Sequence, residues 1–160
     1  MLLIKNARIY TMARKEKFEI IPKGHIFVKD GKIDRIITND YGLEAYDKEK
    51  VRVINAKGNI AMPGLIDAHS HIGIQEEKKG MEGNDSNETM EPVTPYLKAI
   101  DAVNAMDSAF ENAVRAGITS VMTGPGSSNV VGGQFVFMKT RGRKTDDLIV
   151  LEPAAMKVAF

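Results

Sequence analysis

Two histidines and a lysine supply the residue types from which metal chemistry could be built in this sequence. His69 and His71 stand two apart in Leu65-Ile-Asp-Ala-His-Ser-His-Ile72, and Lys157 sits in the apolar run Ala154-Ala-Met-Lys-Val-Ala-Phe160. In an extended chain alternate side chains share a face, which puts Leu65, Asp67, His69 and His71 on one side. Two strand positions span ~7 Å, so both imidazoles can converge on one divalent ion ~2.0 to 2.1 Å from each nitrogen. Cysteine is absent, which removes thiolate zinc sites, iron-sulfur clusters and disulfides together. Neutral imidazoles without thiolates suit zinc, iron, nickel or manganese at an open, catalytic site. The bland alternative is a pair of histidines satisfied by packing or solvent, and spacing alone leaves both readings open.

Other side chains share that ambiguity. Asp67 lies on the histidine face, where its carboxylate can orient an imidazole or simply close a strand-end hydrogen bond. Lys157 in an apolar run implies either a partner for its ammonium or a stem that carries the charge out to water. A glycine-rich stretch, Gly124-Pro-Gly-Ser-Ser-Asn-Val-Val-Gly-Gly-Gln134, lets backbone approach a ligand. Within it Ser127, Asn129 and Gln134 are candidate hydrogen-bond donors to a carbonyl or ring. Asn87 and Glu88 are weaker substrate-contact candidates, and His25 reads as structural.

The elements that must position these residues fall into two blocks. Residues 2–60 alternate β-branched residues with charges, as short strands do, and Asp30-Gly31 is a hairpin dipeptide because both positions tolerate positive φ. Lys15, Glu16 and Lys17 read as a solvated turn, and residues 38–50 as a longer surface connection. At Met62-Pro63-Gly64 a turn introduces the histidine strand, followed by a long polar loop from Gln75 to Glu91. Asp107 then caps a helix through Phe110, Ala113 and Val114 that ends at Gly117, and residues 118–123 form a second strand. Strand, helix, strand implies a parallel pair. The final residues stop inside an apolar run, which reads as a truncated chain.

Composition narrows the function classes. With 22 Lys plus Arg against 21 Asp plus Glu, the net charge of +1 gives no basic footprint for nucleic acid. Apolar stretches are only a handful of residues long, far short of the ~18 to 20 of a helical bilayer span, so no membrane partner is expected. The first residues lack a sustained hydrophobic region and a small-residue cleavage site, so a soluble cytoplasmic protein is expected. Asn84 and Asn87 begin glycosylation-like triplets that match by chance in that setting.

Pro63-Gly-Leu-Ile-Asp-Ala-His-Ser-His71, following a β-rich block of about 60 residues, resembles the signature of the amidohydrolase superfamily. The stretches Asp85-Ser-Asn-Glu88, Pro92-Val-Thr-Pro95 and Gly124 to Gln134 are more narrowly similar to imidazolonepropionase-related amidohydrolases. The resemblance implies an α/β plus β fold: residues 1–61 as part of a composite β-sandwich, and residues 62–160 as the first strands and helices of an incomplete (β/α)8 TIM barrel. A closed barrel needs about 250 residues, more than follow Ala61.

The same resemblance implies that His69 and His71 are metal ligands and that Lys157, if carbamylated, is a further one. The metal is expected to be zinc, with iron, nickel or manganese as alternatives. Further histidines and a proton-shuttling Asp are expected beyond residue 160, which leaves these residues inactive by themselves. The implied activity is hydrolysis of a non-peptide C–N bond in a small amide or cyclic amide by metal-activated water, in a homo-oligomer. Two alternatives are a non-catalytic scaffold relative or barrel-completing subunit, and an N-acetyl-sugar deacetylase.

Overall fold

The computed structural model describes residues 1–13, 19–41, 43 and 50–160. The expected turn at Lys15, Glu16 and Lys17 lies outside the described residues, as does most of the 38–50 connection. The chain forms two compact units, Met1–Pro63 and Gly64–Phe160.

The first unit is a single sheet. Its strands are β1 (Leu2–Tyr10), β2 (Ile20–Lys29), β3 (Lys32–Ile37), β4 (Arg52–Asn55) and β5 (Ile60–Ala61). They run in the order β3-β2-β1-β4, with β5 also paired to β1. β1, β2 and β3 are antiparallel neighbours, whereas β4 and β5 lie parallel to β1. The β2–β3 hairpin turns on Asp30 at φ 49° and Gly31 at φ 75°, the double positive φ that matches strand twist. Two small apolar clusters support the sheet, one around Leu3, Phe27 and Val51, the other around Ala7, Ile9 and Ile26.

The second unit places the chemistry-bearing residues. Its elements are β6 (Leu65–Ser70), α1 (Ala99–Ala102), α2 (Ser108–Arg115), β7 (Ile118–Thr123), β8 (Val131–Lys139) and β9 (Ile149–Val158), with short 3-10 turns at Gly80–Gly83 and Asp146–Leu148. The sheet order is β6-β7-β8-β9. Asp107 caps α2 by accepting from the Ala109 N–H, and Phe110 is turned inward. There it meets Val121 of β7, Val136 and Met138 of β8, and Ala99 of α1 in one core.

The β6–β7 pair is parallel, with α2 in the connection. The expected series of parallel barrel strands stops there, because β7–β8 and β8–β9 are antiparallel. The reason is connection length: residues 124–130 and 140–148 are too few for the crossover of a dozen or more residues that a parallel neighbour requires. What is observed is therefore a strand-rich α/β unit with a mixed sheet. In β9 the register slips around Pro153, where Phe135 faces Ala155 but Phe137 faces Leu151, as suits a residue with no N–H to give a ladder.

Candidate functional site

β6 carries Asp67 and His69, and His71 follows just past its last residue. The Asp67 carboxylate accepts from the backbone N–H of His69 at 3.1 Å, so of its two possible roles the strand-end hydrogen bond is the one formed. The His69 and His71 rings stand together, centroids 5.6 Å apart and nearly perpendicular at 81°. His69 is exposed and His71 half-buried.

Hydrogen bonding fixes the tautomers of both rings. His71 Nδ1 lies 2.7 Å from the carbonyl oxygen of Gly124, at the end of β7. A carbonyl only accepts, so Nδ1 carries the proton and Nε2 of the neutral ring keeps its lone pair. His69 Nε2 lies 3.4 Å from Lys157 Nζ. An ammonium only donates, so this Nε2 is an acceptor as well. Both rings thus offer the nitrogen state that a divalent cation requires. Lys157, 7% exposed, reaches His69 because β9 pairs with β8, bringing position 157 opposite Gly133. Its buried head is therefore directed at an imidazole.

These residues fit a metal in part. Two neutral imidazoles and a neighbouring lysine are a suitable start, yet among the described residues no three His, Cys, Asp or Glu side chains gather into a possible metal-binding group. His69 and His71 would be the ligands, and Lys157 is the group beside them.

The glycine-rich loop is built differently from a free donor surface. Asn129 is buried and its amide donates to the carbonyls of Glu88 and Glu91, at 2.8 and 3.0 Å. Gln134 donates to the Pro95 carbonyl at 3.0 Å. Both side chains tie this loop to the preceding one, and Ser127 alone of the three is exposed. The clasp continues through Asn87 Oδ1, which accepts from the Ser128 N–H, and through the Ser86 carbonyl, which accepts from the Gly126 N–H. Between the two loops lies a cleft of about 240 Å³, walled by Asp85, Asn87, Glu88, Lys98, Pro125 and Gly132.

Two contacts at the histidines had no signal in the sequence. Phe135 packs edge-on against His69 with centroids 5.5 Å apart, and the Gly124 carbonyl holds His71. Both depend on non-local strand pairing. His25 is structural: it is fully buried in the first unit, accepts the Asn6 N–H on Nδ1 and donates from Nε2 to Asp40 at 2.9 Å.

Comparison with known proteins bears on the same residues. No family model matches the chain. A solved structure described as an amidohydrolase from Thermotoga maritima MSB8 superposes on all of it, with a TM-score of 0.84 and 38% identity. The resemblance to the amidohydrolase superfamily holds. Among curated relatives, a 5-methylthioadenosine/S-adenosylhomocysteine deaminase of Clostridium tetani is 37% identical over 73 residues, which are 46% of this chain and 16% of that protein. An imidazolonepropionase of Brevibacillus brevis is 37% identical over 62 residues, 38% of this chain and 15% of that protein. The chain spans 39% of the solved amidohydrolase, so it corresponds to a minor part of each relative.

Proposed function

We propose that this chain contributes the first metal-binding strand of an enzyme that hydrolyses a non-peptide C–N bond, in a cyclic amide or an amino-bearing ring. The observation that carries the reading is the His69–His71 pair, its rings 5.6 Å apart, with His69 Nε2 facing the buried Lys157 and His71 held at Nδ1 by the Gly124 carbonyl. The names of the relatives support the reaction class, since one group are deaminases and another is an imidazolonepropionase. They lend no support to a scaffold relative or a sugar deacetylase.

In this reading β6 and its parallel neighbour β7, joined through α2, are opening strands of a TIM barrel that these residues leave incomplete. A divalent metal, zinc by preference, would supply Lewis acidity and lower the pKa of water toward ~7. The chain's own residues do the rest of what is proposed here. His69 and His71 would hold the ion from one side, the Gly124 carbonyl keeps His71 in its binding tautomer, and Lys157, if carbamylated, would be a further ligand. The cleft between the two clasped loops, walled on one side by Pro125 and Gly132 of the glycine-rich stretch, admits the substrate. Two imidazoles fall short of the usual three or four ligands, so these residues alone are expected to be inactive.

The test is zinc titration of the purified protein against the variant His69→Ala/His71→Ala, with no turnover expected of either in assays of cyclic-amide ring opening or of ammonia release from an aminopurine nucleoside. Loss of zinc binding in the variant is expected. Equal zinc binding by both proteins would overturn the reading.

A further inference from the structure

Phe135 and Gly124 meet at the centre of the histidine pair, and no reading of the sequence gives either of them a role there. Phe135 is 4% exposed. One side of its surroundings is the edge of the His69 ring, 5.5 Å away centroid to centroid. Another is Gly124, so close that a Cβ built at that residue would overlap the phenyl ring. The carbonyl of the same Gly124 is the acceptor for His71 Nδ1. Gly124 N–H in turn donates to the Ser70 carbonyl, between the two histidines. A single aromatic ring thus touches one imidazole directly and backs the peptide that holds the other.

We propose that Phe135, seated on Gly124, is a positioning residue that sets the orientation of His69 and, through the Gly124 carbonyl, the tautomer of His71. The physical argument is steric and electrostatic. An aromatic edge-to-face contact has a preferred geometry that an aliphatic side chain does not reproduce. The absence of a side chain at Gly124 lets the ring come close enough to fix the peptide plane behind it. The consequence for metal binding rests on the proposed role of the two histidines; the positioning itself does not.

The experiment reads imidazole nitrogens by long-range 1H–15N correlation in the metal-free protein, where each tautomer has its own pattern, and then measures zinc affinity. The wild type is expected to show both neutral rings protonated at Nδ1. Phe135→Leu should mix the His71 tautomers and weaken zinc about 10- to 100-fold, the usual effect of losing a group that orients a ligand. Gly124→Ala should disturb both histidines, and Gly124→Ala/Phe135→Leu, which removes the overlap but also the ring that backs the Gly124 peptide, should leave the His71 pattern altered. Phe135→Tyr, which keeps the ring, should leave the His71 pattern as in the wild type.

Should Gly124→Ala fail to fold, Phe135→Leu and Phe135→Tyr still decide the matter. Unchanged imidazole patterns in folded Phe135→Leu overturn the proposal. Altered patterns in a protein whose wild type ignores zinc uphold the positioning role and reject the metal reading instead.

Discussion

Asp40 shows how a single carboxylate ties stability to pH. It is held below its ordinary value of 3.8 chiefly by the hydrogen bond from Lys23 Nζ at 2.8 Å, and next by the one from His25. A carboxylate whose folded pKa is depressed contributes stability above its unfolded pKa and loses it as pH falls through the folded value. Glu76 is lowered in the same direction, first by Lys79 and then by Asn104. The denaturation midpoint should therefore drop as pH is taken from about 5 to below both values. Asp40→Asn should flatten part of that fall, with the residual slope belonging to Glu76 and other carboxylates. Urea denaturation across this range checks it, and superimposable curves for the two proteins would count against it. The gain concerns exposed groups and is small. At this same scale the sequence makes His69, His71 and Lys157 visible by type and spacing. It is silent on Phe135 and on the Gly124 carbonyl, because the former looks like any core aromatic and the latter has no side chain at all.

At the level of elements, local chemistry was legible and long-range pairing was not. Asp30-Gly31 specifies its hairpin, and Asp107 with Gly117 brackets α2, because turn and cap preferences depend on neighbouring residues only. The antiparallel return of β8 and β9 follows from short connections, but the clasp that holds loop 124–130 against the preceding loop joins Ser86, Asn87 and Glu88 to residues about 40 positions away. The helix cap offers a direct measurement. Asp107 Oδ1 accepts from the Ala109 N–H at 3.3 Å and from the Glu77 N–H at 3.4 Å, so it joins α2 to the polar loop before it. Asp107→Ala should cost about 1 kcal/mol, within the 0.5 to 2 typical of a lost cap. Asp107→Asn keeps that oxygen and should lose less. Chemical denaturation of the three proteins separates the cases, and an alanine variant as stable as the wild type would show that the cap contributes nothing.

For the whole molecule the question is what the two outer strands of the second sheet do. β6 and β9 are the end strands in the order β6-β7-β8-β9, and each shows apolar side chains to solvent, Ile66 at 63% and Leu151 at 55% exposure. End strands with unpaired N–H and C=O groups template further pairing unless charge, proline or a bulge blunts them. β9 has such guards in Glu152, Pro153 and the register slip beside them. β6, Leu-Ile-Asp-Ala-His-Ser, carries one carboxylate and neither proline nor lysine. The less protected edge is therefore β6, and two copies joined there in antiparallel fashion would close a two-fold dimer by main-chain hydrogen bonds. Sedimentation velocity across the micromolar range should show concentration-dependent association. Ile66→Lys should suppress it strongly and Leu151→Lys only weakly, since the second edge is already guarded. Equal suppression by both would point to general apolar adhesion rather than strand pairing at β6. A monomer at every concentration would mean that the exposed edge does not pair.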